Sequence, residues 1–106
     1  MANFVLFYTG GNVPENADQR AAFMQAWRTW FEGLGSNLVD GGHPFTPIVK
    51  SIGSDGSVMD GSLGTPATGY SILKAESLDA AVQMAKKCPV LQVDSQITVY
   101  EAYPVG

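Results

Sequence analysis

Phe23, Trp27, Trp30, Phe31 and Leu34 recur at helical spacing and make one broad apolar face. A helix carrying that many large aromatic residues must bury them against another layer of structure. Its start is marked by Asn16, a candidate N-cap, with Gln19 three residues later completing a capping box. Asp18 lies in the first turn, where the helix dipole favours an acid. Gly33 and Gly35 bracket the end, and Gly35 is the better candidate for the residue just past it. The spacing predicts a helix from about residue 17 to about residue 34, with boundary errors of roughly 2–4 residues.

The layer that helix needs is written around it. Phe4-Val5-Leu6-Phe7-Tyr8 is short, apolar and aromatic, and Thr9-Gly10-Gly11-Asn12 ends it, which reads as a strand buried on both faces. Asn37-Leu38-Val39-Asp40 is a second short strand, broken by Gly41-Gly42-His43-Pro44. Residues 48–52 and 57–59 flank Gly53-Ser54-Asp55-Gly56, and Asp-Gly between strand-like runs is a hairpin signal. Asp60 to Pro66 is a loop by composition. A strand from Thr68 to Ala75 follows, and Ser77 caps a second helix with the stripe Leu78, Ala81, Val82, Ala85 and Cys88, stopped by Pro89. Gln96 to Tyr103 is the closing strand.

Without the hairpin the order is βαββαβ, the ferredoxin-like split βαβ pattern. The expected fold is therefore α+β, one domain over residues 1–106, with both helices on one face of a four-stranded antiparallel sheet. The other face should be polar in a monomer. Instead both alternate sets of the first strand are apolar, and Tyr70 and Ile72 oppose Leu73 and Ala75 on a later one. A sheet apolar on both sides needs a second cover, and a partner subunit packed sheet against sheet supplies it, giving a homodimer. The alternative cover is the inserted hairpin or the Pro-Val-Gly tail, neither of which is long enough for four strands.

Hydrophobic residues make up 45% of the chain and charged residues 15%, which excludes disorder. The net charge of −4 and the scattered basic residues argue against nucleic acid. Lys86 and Lys87 are adjacent, but at a helix end where cations complement the dipole. No stretch approaches membrane-spanning length and nothing resembles a signal peptide, so the expectation is no membrane association and a cytoplasmic location. With one His, one Cys and dispersed carboxylates, neither a metal site nor a bound cofactor is expected. Gly10-Gly11 lacks the Lys-Ser/Thr of a phosphate loop.

Several segments together carry a family resemblance. They are Phe23-Met24-Gln25-Ala26-Trp27, Leu38 to Gly42, Asp55 to Gly61, Gly69 to Ala81 and Cys88-Pro89. The chain resembles the YCII-related proteins, in particular the DGPF subgroup, over nearly its whole length. The resemblance implies a dimeric α/β-barrel and cytoplasmic bacterial proteins, mostly of unknown function, a few of which act on chlorinated aromatic compounds. Two departures bear on chemistry. The subgroup's Asp-Gly-Pro-Phe reads Asp60-Gly61-Ser62-Leu63 here, and the helix histidine of better-studied members is absent, with Gln25 near its place. An acid–base dyad through that histidine is therefore not carried over.

Asp40, His43 and Asp60 are the candidate catalytic residues. His43 is the one side chain expected to titrate near neutrality, and with Asp40 just before it could do general acid–base work. The plainer reading is an exposed loop histidine. Asp40 and Asp60 each precede glycine, which suits either a polar pocket or ordinary turn chemistry. Tyr8, Trp27 and Tyr70, with Tyr100 and Trp30, are candidates for an aromatic ligand pocket, or else for core and dimer interface. Cys88, at a helix C-terminus, reads as structural.

These observations point first to a dimeric pocket protein that binds or transforms a small metabolite, an aromatic one among the candidates, without a bound cofactor. The alternatives are a non-catalytic regulatory or protein-interaction module acting through its loops and hairpin, and a structural accessory subunit.

Overall fold

The computed structural model describes residues 1–12 and 14–104. Its main layer is an antiparallel four-stranded sheet of β1 (Ala2–Gly10), β2 (Leu38–Asp40), β5 (Ala67–Ala75) and β6 (Ser95–Glu101), in the order β2-β5-β1-β6. The helices are α1 (Ala17–Leu34) and α2 (Leu78–Ala85). This mixed α/β arrangement is compatible with a ferredoxin-like fold. β3 (Lys50–Ile52) and β4 (Val58–Asp60) form a separate two-stranded hairpin between β2 and β5.

Local chemistry accounts for the boundaries. The Asn16 side chain accepts from the backbone N–H groups of Asp18 and Gln19 at 2.8 and 3.2 Å, so two otherwise unpaired donors start α1 at Ala17. At its other end Gly35 takes a positive φ of 53° and returns its N–H to the Phe31 carbonyl. Ser77 caps α2 through the Ala80 N–H at 3.1 Å. Pro89 begins a short 3-10 turn (Pro89–Val93) beyond α2. The hairpin forms at the Asp-Gly signal, but its first strand, 50–52, is shorter than the expected run and its second, 58–60, lies one residue later. No helix is long and apolar enough to cross a membrane.

Both helices cover one face of the sheet. Phe4, Leu6 and Tyr8 point to that face, with Ser71, Leu73 and Ala75 beside them. Trp30, Leu34, Ala81 and Ala85 pack from above. The Trp30 indole N–H donates to the Met84 carbonyl at 3.0 Å and ties the two helices together.

The opposite face differs from the expectation of a strand buried on both sides. Within one chain no layer covers it among the described residues. Phe7, Val39 and Tyr100 are exposed there, and Phe7 and Tyr100 meet edge to face with centroids 5.8 Å apart. Val5, Tyr70 and Ile72 share the same parity and are only half-buried. Val105 and Gly106 of the tail considered as a cover lie outside the described residues.

Candidate functional site

The chain after β2 runs back along the start of β5. His43 O accepts from Tyr70 N at 3.3 Å, Phe45 N donates to Thr68 O at 2.8 Å, and Pro44 bridges to Gly69. This closeness explains Gly42, whose φ is 77° and where a Cβ would overlap the Tyr70 carbonyl. Gly41 packs less tightly on the other side, with Phe31 Cζ 3.2 Å from where its Cβ would be. The Asp40–Gly42 segment thus straddles the sheet edge and touches both faces.

On the open face Asp40 is held at both oxygens. Oδ1 accepts from Gly42 N at 2.8 Å and Oδ2 from the Tyr70 hydroxyl at 3.0 Å. The Gly42 N–H, and after it the Tyr70 hydroxyl, hold the Asp40 carboxyl below its usual range, against a smaller opposing effect of desolvation. The same bond raises the Tyr70 phenol, because ionising it would break the contact and place two negative charges together. Phe45 stacks on Tyr70 with centroids 6.0 Å apart, and the His43 ring lies 6.4 Å from it.

The candidate Asp40–His43 hydrogen bond is not among those formed. Tyr70 occupies the carboxylate oxygen instead, and the exposed His43 ring makes no hydrogen bond among the described residues. His43 acts on Asp40 through its charge alone, as the smallest influence there. Asp60 lies elsewhere: it is on the hairpin, exposed, in an ion pair with Lys50 at 2.8 Å.

The aromatic candidates divide between the two faces. Tyr8 pairs with Gly69 in register and Tyr70 with Phe7, so their side chains point to opposite sides of the sheet. Tyr8 and Trp27 do meet, edge to face at 5.8 Å, on the helix side. Tyr100 is on the open face, and Trp30 is buried against the helix side. Tyr8, Trp27 and Tyr70 therefore do not line one pocket.

Sequence reading missed Ser71, which joins the two halves of the site. The Tyr8 hydroxyl donates to Ser71 Oγ at 2.7 Å, and Ser71 Oγ donates to Gly41 O at 2.8 Å. The Cys88 thiol lies 3.8 Å from the Tyr8 hydroxyl and donates to it. All three side chains are buried. Burial raises the Tyr8 phenol far above its ordinary value, with the neighbouring Cys88 adding to it, and pushes the Cys88 thiol up to about 11. These are neutral, structural hydroxyls and a neutral thiol. The available signal for Ser71 was its place as the one polar residue in the parity set with Leu73 and Ala75.

Chemically, the open-face cluster offers an ionised carboxylate, a phenol oxygen with a free lone pair, an unengaged imidazole and a stacked aromatic ring. Such a set can hold a flat polar molecule by stacking and hydrogen bonds. Among the described residues no three His, Cys, Asp or Glu side chains converge on a point that would hold a metal ion.

No protein-family model matches this chain, and no curated protein does. Among solved structures, the chain is similar to 5-chloro-2-hydroxyhydroquinone dehydrochlorinase (TftG) from Burkholderia phenoliruptrix AC1100, solved in complex with 2,5-dihydroxybenzoquinone. The likeness covers 97% of this chain and 95% of that one, with a TM-score of 0.54 and 20% identity. At that identity the two proteins share a fold, and the shared fold spans nearly the whole of both chains.

Proposed function

We propose that this chain is a YCII-related protein of the DGPF type, a cytoplasmic homodimer that binds or transforms a small aromatic metabolite without a bound cofactor. The observation that carries this reading is the Asp40–Tyr70 hydrogen bond at 3.0 Å, with Phe45 and His43 beside it, at the rim of an uncovered apolar sheet face. A second copy laid on that face would give a sheet-on-sheet dimer and place the cluster at the mouth of the space between. The shared fold with an enzyme solved around a dihydroxybenzoquinone supports a ligand of the same general size and flatness. Asp40, Tyr70 and His43 are the residues of the proposed site. Asp60, exposed on the hairpin, would join it only through movement of the hairpin or through the second copy. Tyr8 and Trp27 would support the site from behind.

The test is a thermal-shift series with 2,5-dihydroxybenzoquinone and hydroxylated benzoates on the native protein and on Asp40→Asn, Tyr70→Phe and His43→Ala. Binding to the folded state raises the melting temperature by mass action. A shift of several degrees with one of these compounds, lost in the variants with folding intact, is the expected result. An equal shift in all four proteins would move the site away from Asp40.

A second reading is favoured by the hairpin, where Ile52 and Val58 are exposed side by side. It makes the chain a non-catalytic interaction module. It predicts no response to any of these compounds and a protein complex lost on mutation of the hairpin.

A further inference from the structure

The segment between Pro44 and Pro66 departs from the rest of the chain in how it treats apolar surface. Ile48, Val49, Ile52, Val58, Met59 and Leu63 are all exposed, Ile48 at 90% and Ile52 and Leu63 at 70%. The register puts Ile52 opposite Val58 and Lys50 opposite Asp60 on one face of the hairpin, and Ser51 opposite Met59 on the other. The Ile52–Val58 face of this arm is open to solvent, and on the other face Met59 is exposed beside a half-buried Ser51. A two-stranded hairpin of this kind is marginal alone in water and needs something to pack against.

The dimensions say the same. The radius of gyration is 15.2 Å, against about 13 Å for a compact domain of this length. The chain exposes 7375 Å² of surface, where a folded monomer of its mass exposes on the order of 5,700 Å². The excess is roughly 1,700 Å² per chain, the size that an obligate homodimer buries on each partner. The arm is also continuous with the open sheet face, because Phe45 at its root stacks on Tyr70 of that face.

We infer that the hairpin arm is an embrace: in solution each arm reaches across and packs its Ile52–Val58 face against a second copy of this chain. This rests on the homodimer of the proposed function and adds what that reading lacks, a device that locks the two sheets together. Arm and sheet face are joined through Phe45, which stacks on Tyr70. A two-fold pairing would bury both at once, and each arm would make the same contact on the other copy. The arm springs from the loop that carries His43, so its docking would also fix the position of that loop over Tyr70.

The experiment combines assembly with proximity. Sedimentation equilibrium would compare the native chain, an arm variant Ile52→Lys/Val58→Lys and a sheet-face variant Phe7→Lys, with far-UV circular dichroism to check folding. A photo-crosslinking amino acid at position 52, in an equal mixture of ordinary and nitrogen-15 chains, would report whether the arm touches its own chain or another copy. The expected result is a native dimer, mixed-isotope crosslinks, and a dimer dissociation constant raised at least tenfold by the arm variant. A native dimer whose affinity the arm variant leaves unchanged, with no crosslink between copies, would overturn the embrace while leaving the sheet-face dimer standing. A native chain that is monomeric at micromolar concentration would remove both.

Discussion

The Ser71 hydroxyl donates to the Gly41 carbonyl at 2.8 Å, and this bond fastens the buried core to the loop that carries Asp40. Ser71 in turn receives the Tyr8 hydroxyl at 2.7 Å. The bonds form a directed chain, so the two ends are not equivalent. Removing Ser71 leaves a buried phenol hydroxyl with no acceptor and a carbonyl with no donor. Removing only the Tyr8 hydroxyl leaves Ser71 still bonded to Gly41 and takes an acceptor only from the weak Cys88 thiol donor 3.8 Å away.

Ser71→Ala should therefore cost roughly 1–3 kcal/mol of stability, and Tyr8→Phe about 1 kcal/mol or less. Urea unfolding of the two variants checks the order. If Tyr8→Phe proved the more damaging, the chain of bonds would not run from Tyr8 through Ser71 to Gly41.

Gly42 and Gly56 separate two costs that glycine substitution usually mixes. Both have positive φ, 77° and 88°, but a Cβ at Gly42 would overlap the Tyr70 carbonyl while nothing lies within 4 Å of one at Gly56. Gly56→Ala should show backbone strain alone, about 1 kcal/mol. Gly42→Ala should lose more, roughly 2–4 kcal/mol, since the overlapped atom is strand backbone and cannot swing aside. It should also weaken the Asp40–Tyr70 bond. Equal losses at the two positions would mean that the 40–42 loop relaxes freely.

Much of this architecture was legible in the sequence, for identifiable reasons. Asn16, the aromatic stripe and Gly35 bound α1 by local chemistry, and α1 spans 17–34. Asp55-Gly56 sets the hairpin turn through the Asp55 carboxylate, which accepts from Ser57 N at 2.9 Å. What local chemistry does not contain is register. Tyr8 and Tyr70 belong to different strands, and nothing within either strand tells that Tyr8 lies opposite Gly69 rather than Tyr70. The Asp40–Tyr70 bond, formed across 30 positions, was hidden for the same reason. Adjacency in the chain suggested His43 for Asp40, while the fold supplied Tyr70.

Asp40 gives the open-face cluster a signature in acid. Its carboxyl is held low by the Gly42 N–H and the Tyr70 hydroxyl, so its folded value lies below the unfolded one, about 3.9. Its stabilising contribution is complete above the unfolded value and is lost as pH falls through the folded one. The melting temperature should therefore drop as pH falls below about 4. Asp55, held low by Ser57, contributes in the same direction. Asp40→Asn should flatten part of the acid slope and leave the Asp55 share. On the alkaline side, Tyr70 ionises above its ordinary value while Asp40 is present, and Asp40→Asn should bring its phenolate absorbance to lower pH. An acid slope identical in the two proteins would break the assignment to Asp40.

Cys88 reports on the opening of the helix side. Its thiol is buried, donates to the Tyr8 hydroxyl at 3.8 Å and is pushed up to about 11, chiefly by desolvation. The thiolate is the reactive form, so at pH 8 the native protein holds little of it and shields what there is. An aromatic disulfide reagent at pH 8 should label Cys88 slowly in the native protein and at once in urea. Because the folded value lies above the unfolded one, the neutral thiol favours the native state below the unfolded value, about 8.5, and that contribution is lost as pH rises towards 11. Labelling should speed up in Ser71→Ala, which loosens the packing around Tyr8, by an amount that follows its loss of stability if global opening is the route. Rapid labelling of the native protein, equal to that of the unfolded chain, would mean that the space between α2 and the sheet is open to solvent and that Cys88 does not belong to the closed core.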